Sequence, residues 1–251
     1  MNKKSIKLTY KFCTPSKLNG SDRALLLVEI QELIKKAWGH FDEKFLNEHI
    51  FCKSERLVMA NKGSELIGFC ASKQITLLKK TILYIEFTVV DPTYQGHGIG
   101  PKLTYFALRK MIFRNLFKAM FGGINVMFLT PNIRALTKVA QISGEIYPDP
   151  YAIDTQSGRI KKADDETWAM ASELIKISDN PNRRLDREGL VLHGSYAKTP
   201  SLIYESGNIP WHFDESINNF ARHYLKYGEK ADREFVVRAR ITLLSILNNY
   251  F

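Results

Sequence analysis

Cysteine is scarce in this chain of 251 residues: Cys13, Cys52 and Cys70 are the whole complement. An odd count at long spacings predicts neither a disulfide framework nor a thiolate cluster, and it suits a reducing, cytoplasmic location. No His, Cys and Asp group has zinc spacing, so no metal is expected. No apolar run approaches the roughly 18 residues of a transmembrane helix. Met1-Asn2-Lys3-Lys4 leads into no apolar core of a secretory signal. Internal repeats and low-complexity tracts are missing as well. A serine-hydrolase reading would use Ser195 of His193-Gly194-Ser195. The G-x-S-x-G elbow is incomplete there, because Ala197 or Lys198 stands where its second glycine should be.

Acidic residues are also in short supply, 26 against 36 Lys and Arg, which leaves a net charge of +10 and a pI near 9.4. Such an excess admits an anionic ligand, nucleic acid or an anionic membrane surface as partner, or is simply a solvated face. Basic pairs such as Lys35-Lys36, Lys79-Lys80, Lys161-Lys162 and Arg183-Arg184 would make up a nucleic-acid patch. Hydrophobic residues at 45% and aromatics at 12% suffice for a buried core.

The most informative stretch runs from Thr81 to Met111. Ile82 to Val90 is rich in β-branched and aromatic residues and predicts a buried strand. Asp91-Pro92 ends it, since proline cannot donate to a ladder. After Gln95-Gly96-His97-Gly98-Ile99-Gly100 comes a helical pattern with Leu103, Phe106, Ala107, Leu108 and Met111 inward. A glycine-rich turn at a helix N-terminus aims several backbone N–H groups and the positive dipole end at one spot, which suits a phosphate or pyrophosphate. The spacing G-x-G-x-G is neither the dinucleotide G-x-G-x-x-G nor a Walker loop, which needs Gly-Lys-Ser/Thr. Packing glycines in an ordinary strand-turn-helix remain the alternative.

Val90-Asp91-Pro92, followed by Gln95-Gly96-His97-Gly98-Ile99-Gly100 and Leu103, resembles the pyrophosphate loop of the GNAT superfamily of N-acetyltransferases. The likeness is specific over residues 88 to 103 and covers residues 5 to 150 in layout. It implies an α/β fold around a mixed sheet with a splayed parallel strand pair, flanked by helices. Acetyl-CoA is implied as donor, its pantetheine amides pairing with Thr88, Val89 and Val90. Its pyrophosphate would lie on Gln95, Gly96, His97, Gly98, Ile99 and Gly100, with Lys102 in the first helical turn. Asn132 stands where the family often has an asparagine touching the cofactor. The family's late-helix tyrosine, a proposed general acid, has no counterpart: the position falls near Ala140. Tyr147 or Tyr151 would supply the acid, or water would serve.

Acetyl transfer to an amine needs a base for the amine proton. Glu86 is the candidate, a lone acid in ILYIEFTVV, with Tyr84 on its face by period two. Burial is expected to raise its pKa. The alternative is an ion pair with a Lys or Arg of a neighbouring strand. The reading is thus an acyltransferase acting on a primary amine of a small molecule or protein. A silent acyl-CoA sensor and a nucleic-acid-associated protein are the other two readings.

In chain order, a strand is expected over Ser5–Cys13 and a helix over Arg23–Trp38. Ser21 or Asp22 would cap that helix, and Leu26, Val28, Ile30, Leu33 and Ile34 would face inward. A short helix over Asp42–Ile50 precedes a meander: Arg56–Asn61, a turn at Asn61–Ser64, Glu65–Gln74, then the central strand. Phe113, Phe117 and Phe121 read as a core stripe, with a basic membrane face as the alternative. Ile124–Leu129 is a strand parallel to the central one. A helix follows over Ile133–Ser143, then a rigid linker at Tyr147–Pro150. Beyond it lie helices over Asp164–Ile177 and Asp214–Tyr227, a loop over Ser178–Glu188, a strand over Gly189–Tyr196 and a loop or short strand over Pro200–Trp211. A strand over Glu234–Thr242 would return to the main sheet, with Leu243–Tyr250 closing the chain. His193 and His212, with Tyr196, Tyr204 and Trp211, could line an acceptor pocket. The expected division is a catalytic domain over 1–150 and an extension over 151–251 that covers the acceptor cleft or forms a homodimer surface.

Overall fold

A computed structural model describes residues 7–39, 42–114, 116–154, 159–178, 183–195, 209–227 and 232–245. Chain contacts divide it into two units, Met1–Lys73 with Ile85–Lys110, and Gln74–Tyr84 with Met111–Phe251. Neither boundary falls at residue 150. The hairpin tip at 74–84 goes with the later elements because Leu77 and Ile82 are buried in one cluster with Met127, Met170, Leu174 and Val236.

In the first unit, β1 (Thr9–Cys13) pairs antiparallel with β2 (Arg56–Lys62), with Thr9 opposite Asn61 and Cys13 opposite Leu57. Gly63, at φ 63°, turns β2 into β3 (Glu65–Leu77), with Arg56 opposite Ser72. The return strand β4 spans Lys80–Val90, so both strands reach further than their hydrophobic runs suggest. Helix α1 (Gly20–Trp38) is capped by Asn19, whose side chain accepts from the Asp22 N–H at 2.8 Å. The expected cap, Ser21, instead donates its own hydroxyl to Asn19. The inward stripe of α1 begins at Ile30 and continues through Leu33 and Ile34, while Val28 is 53% exposed. Helix α2 (Glu43–Leu46) runs on into a π-helical turn, Asn47–Lys53. Helix α3 (Ile99–Arg114) buries Leu103, Ala107 and Leu108. Gly68 permits the close approach of β4 and α3. A Cβ there would lie 3.1 Å from the Val89 carbonyl oxygen and 3.2 Å from Leu103, tight enough that these neighbours would have to give way.

In the second unit, α4 (Leu116–Phe121) leads to β5 (Ile124–Thr130) and α5 (Ile133–Ile142). β6 (Glu145–Tyr147) pairs with β9 (Glu234–Ile241), so Tyr147 belongs to a strand rather than a linker. β9 also pairs antiparallel with β5 along its length, from Ile124–Ile241 to Thr130–Phe235. The last strand therefore does return to the sheet. Its alternation EFVVRARI suits the place, although almost every position is buried. α6 (Asp165–Lys176) and α7 (Glu215–Leu225) are capped by Asp164 and Asp214. β7 (Leu185–Asp186) and β8 (Val191–Leu192) are short. The hydrogen-bonded strand order is β1-β2-β3-β4-β5-β9-β8-β7, with β6 on β9. β4 and β5 form a parallel pair, which makes this a mixed α/β sheet flanked by helices.

One expectation is overturned on α3 and α4. Phe113 is 66% and Phe117 79% exposed, whereas Met111, Ile112 and Ala119 are buried. The inward stripe passes through these neighbours, and the phenylalanines at i and i+4 occupy another face. Among the described residues no helix is long and apolar enough to cross a membrane. Tyr196, Tyr204 and most of the expected 200–211 loop lie outside the described residues.

Candidate active site

The turn after β4 is built by Asp91. Its buried carboxylate accepts from the Thr93 N–H at 2.9 Å and the Thr93 hydroxyl at 2.6 Å. Lys36 stands 3.4 Å away. Burial pushes this carboxyl up, but the Thr93 bonds and Lys36 outweigh it and hold the group below its ordinary value. A short 3-10 turn, Pro92–Tyr94, follows, and Gln95 turns back to donate its side-chain amide to the Val90 carbonyl at 3.2 Å.

Gly96 and Gly98 then take φ of 80° and 73°, the left-handed region that other residues rarely adopt. Nothing lies within 4 Å of where a Cβ would stand on either, so the backbone here is open. The N–H groups of Ile99 and Gly100, first in α3, have no acceptor within the helix, and Pro101 has no N–H. Lys102 already bonds back to the Gly98 carbonyl at 3.3 Å. An uncovered glycine backbone at the positive end of a 16-residue helix fits a pyrophosphate. A Cβ built on Gly100 would stand 3.8 Å from a Val90 methyl and 3.9 Å from the Thr88 methyl, so the start of α3 lies beside the strand end that carries Thr88, Val89 and Val90. Ile99 is buried and offers its backbone alone. The His97 ring lies 3.2 Å from the Tyr94 and Gln95 carbonyls, folded onto its own loop.

Glu86 lies on β4 in the same unit, two and four residues before Thr88 and Val90, and so on their face. Its carboxylate, 6% exposed, receives Lys73 Nζ at 2.9 Å and faces His49 Nδ1 at 3.5 Å. This corrects the expected pKa. Burial alone would raise it, but His49 and Lys73 together outweigh burial and hold Glu86 below its ordinary 4.5. Lys73, from β3, is the strand partner that the sequence left open. His49 was missed. The available clue was helical spacing: Phe45 and His49 are four apart and stack at 4.0 Å between centroids, and a lone acid in an apolar strand calls for buried partners.

The remaining candidates lie in the second unit. Tyr84 packs against the cluster of Leu77, Met170 and Val236. Asn132 caps α5, its side-chain oxygen accepting from the Arg134 and Ala135 N–H groups at 3.0 and 3.2 Å. That oxygen is engaged by the helix. The Tyr147 hydroxyl donates to the Lys161 carbonyl at 2.8 Å and accepts from the Gly189 N–H at 3.1 Å. Burial, the largest influence, pushes its pKa up to about 12, which makes it a poor proton donor to a thiolate. Its observed work is to bracket two loops. His193 pairs with Asp186 at 2.7 Å, and Ser195 accepts from Arg183 at 3.4 Å. His212 accepts the Asp214 N–H at 3.1 Å, and burial above all lowers its pKa. A cleft of about 400 Å³ is lined by Lys80, Asn125, Glu145, Glu166, Arg238 and Arg240, together with Asp164, the cap of α6. Five of its charged side chains pair with one another: Lys80 and Arg238 with Glu166, Arg240 with Glu145. Among the described residues no group of three metal-ligating side chains occurs.

Residues 27–130 match the sequence model of the acetyltransferase (GNAT) family. No curated protein matches the chain by sequence. Among solved structures, the chain is similar to a GNAT family N-acetyltransferase from Escherichia coli in complex with CoA, at 13% identity and a TM-score of 0.39. That overlap covers 55% of this chain and 69% of that one. It is also similar to the ribosomal-protein-S18-alanine N-acetyltransferase of Escherichia coli, at 15% identity, TM-score 0.39, with 59% and 86% covered. A GNAT family acetyltransferase from Streptococcus pneumoniae gives 19% identity, TM-score 0.32, with 41% and 67% covered. What these comparisons support, then, is a segment similar to the GNAT acetyltransferase domain over residues 27–130.

Proposed function

We propose that the chain is an acyltransferase that moves an acetyl group from acetyl-CoA to a primary amine of a small molecule or protein by direct attack. The open glycine backbone at Gly96 and Gly98, at the N-terminus of α3 inside the family-matched segment, carries this reading. Acetyl-CoA, when bound, supplies the acyl group as a thioester. Gln95 to Gly100 would hold its pyrophosphate through backbone N–H groups, with Lys102 adding charge. Thr88 to Val90 would pair with its pantetheine amides, and a strand-end N–H such as that of Val90 would meet the developing oxyanion.

Calorimetric titration with acetyl-CoA tests this reading. The informative variant is Gly100→Glu, because a Cβ there meets only methyls at 3.8–3.9 Å and the fold tolerates it. A carboxylate beside the pyrophosphate should weaken binding by at least about 1.4 kcal/mol, or tenfold. Gly98→Glu should do the same, with added backbone strain. Equal binding by wild type and Gly100→Glu would remove the loop from the cofactor site. Thiol release with primary amines then separates an enzyme from a silent acyl-CoA binder, which titrates alike but does not turn over.

A further inference from the structure

The face of the sheet under α6 changes character along its length. Ile82, Met127 and Val236 are buried there in one apolar cluster with Met170 and Leu174 of α6. Period two carries the same face on to Asn125 in β5 and to Arg238 and Arg240 in β9, and Asn125 stands directly opposite Arg240. These three residues line the cleft of about 400 Å³, with Lys80 at the start of β4 and Asp164 and Glu166 at the N-terminus of α6. Gly123, at φ 72°, makes room for the Arg240 stem, since a Cβ there would stand 2.6 Å from Arg240 Cγ. Asn125 is 7% exposed, yet among the described residues no group bonds to its side-chain amide. An amide carries two N–H donors and one carbonyl acceptor. A buried polar side chain with no partner in its own fold is unusual, and an apolar residue of the same size would serve packing as well.

The charges around that amide come in equal numbers: Lys80, Arg238 and Arg240 against Glu145, Asp164 and Glu166. Glu166 Oε1 accepts from Lys80 at 2.6 Å and from Arg238 at 2.8 Å, and Arg238 also donates to the Thr167 hydroxyl at 2.5 Å. Arg240 meets Glu145 at 2.6 Å. Asp164 uses one oxygen on the Thr167 N–H at 2.6 Å. The Lys80 hydrogen bond above all holds Glu166 below its ordinary value, and the Thr167 N–H does the same for Asp164, so both are ionised at neutral pH. A lone anion brought here would meet as many carboxylates as cations, and a lone cation would fare the same. A molecule that carries both signs finds a counter-charge for each. An ammonium has three N–H groups and a guanidinium five, more than the pairs of Lys80 and Arg240 use.

We infer that this cleft binds a small zwitterion, a molecule with one carboxylate and one ammonium group such as a free amino acid. Lys80, Arg240 and the Asn125 amide N–H groups take the carboxylate, and Glu145 and Asp164 take the ammonium. The volume sets the size, because it lies near the lower end of ligand pockets, which run from roughly 300 to 1,000 Å³. Every residue of the cleft belongs to the second unit, and none to the glycine turn before α3. The inference makes no use of the acetyl-transfer reading.

Ligand-observed NMR titration of the full chain tests it. Glycine, L-serine and γ-aminobutyrate serve as two-signed probes, and acetate, methylammonium and inorganic phosphate as single-signed controls. At least one two-signed probe should bind saturably at millimolar concentration, about tenfold or more tighter than every control. Asn125→Leu and Arg240→Met should each weaken that binding by about tenfold or more. Arg240→Met keeps a stem against Gly123 and leaves Glu145, 44% exposed, in contact with water. Asn125→Leu should also keep or raise the urea midpoint, since the amide bonds to nothing in the fold. No saturable binding of any two-signed probe, a control that binds as tightly, or equal binding by the wild type and either variant would overturn the inference. So would a lowered urea midpoint in Asn125→Leu, because the amide would then be working for the fold.

Discussion

Glu86 shows how one carboxylate can be buried and still ionised. Removing it from water penalises its charged form, but the ammonium of Lys73 and the ring of His49 repay that penalty. A folded-state pKa below the ordinary value means that the unfolded chain binds more protons than the folded one as pH falls. The stability tied to Glu86 is therefore complete above about pH 4.5 and is lost as pH drops through the folded value. Glu86→Gln should destabilise the protein at pH 7 by about 1–3 kcal/mol, toward the low end of a broken buried pair because Lys73 keeps some solvent. Urea unfolding from pH 7 to pH 3 would show the wild-type and variant stabilities converging at the acid end. Parallel curves would mean that the pair contributes nothing to folding.

The β3–β4 hairpin carries a local conflict at the scale of an element. Its two turn residues are Leu78 and Lys79, at φ 46° and 61°. Two consecutive left-handed residues suit a two-residue hairpin whose twist matches the strands, yet that turn prefers Asn-Gly. Leu78 is 46% exposed, so the side chain gains little by being there. The long flanking strands impose the conformation on residues that do not favour it. Leu78→Asn with Lys79→Gly should raise stability by about 1–2 kcal/mol, read as a higher urea midpoint at an unchanged slope. A lowered midpoint would show that Leu78 contributes packing that its exposure conceals.

For the whole molecule, the charge of +10 exceeds what one coenzyme pyrophosphate can use. Such an excess predicts weak, sequence-independent attraction to nucleic acid through counterion release. Binding of a mixed-sequence single-stranded oligonucleotide should fall steeply between about 50 and 200 mM salt. Gly100→Glu, placed in the glycine turn proposed for the cofactor, should leave it nearly unchanged. A complex that survives physiological salt would point to a dedicated nucleic-acid surface and revive that reading.

What the sequence determined alone is local. The β2–β3–β4 meander, the α1, α6 and α7 helices and β9 follow from period-two and helical patterning. The glycine turn before α3 was legible because left-handed φ at Gly96 and Gly98 is a requirement on single residues, met in place. The tertiary structure decided everything that depends on which faces meet. Alternation cannot say that Phe113 and Phe117 turn outward while Met111 and Ala119 turn in. The run at Tyr147–Pro150 reads as a linker until β9 arrives to pair with β6, and only then does the Tyr147 hydroxyl find Lys161 and Gly189. The partners of Glu86 come from β3 and from a π-helical turn far back in the chain. Their effect on its charge reverses what burial alone implies. Contacts between distant segments carry no periodic mark in the sequence, because each end satisfies its own local rule and the pairing exists only once the chain is folded.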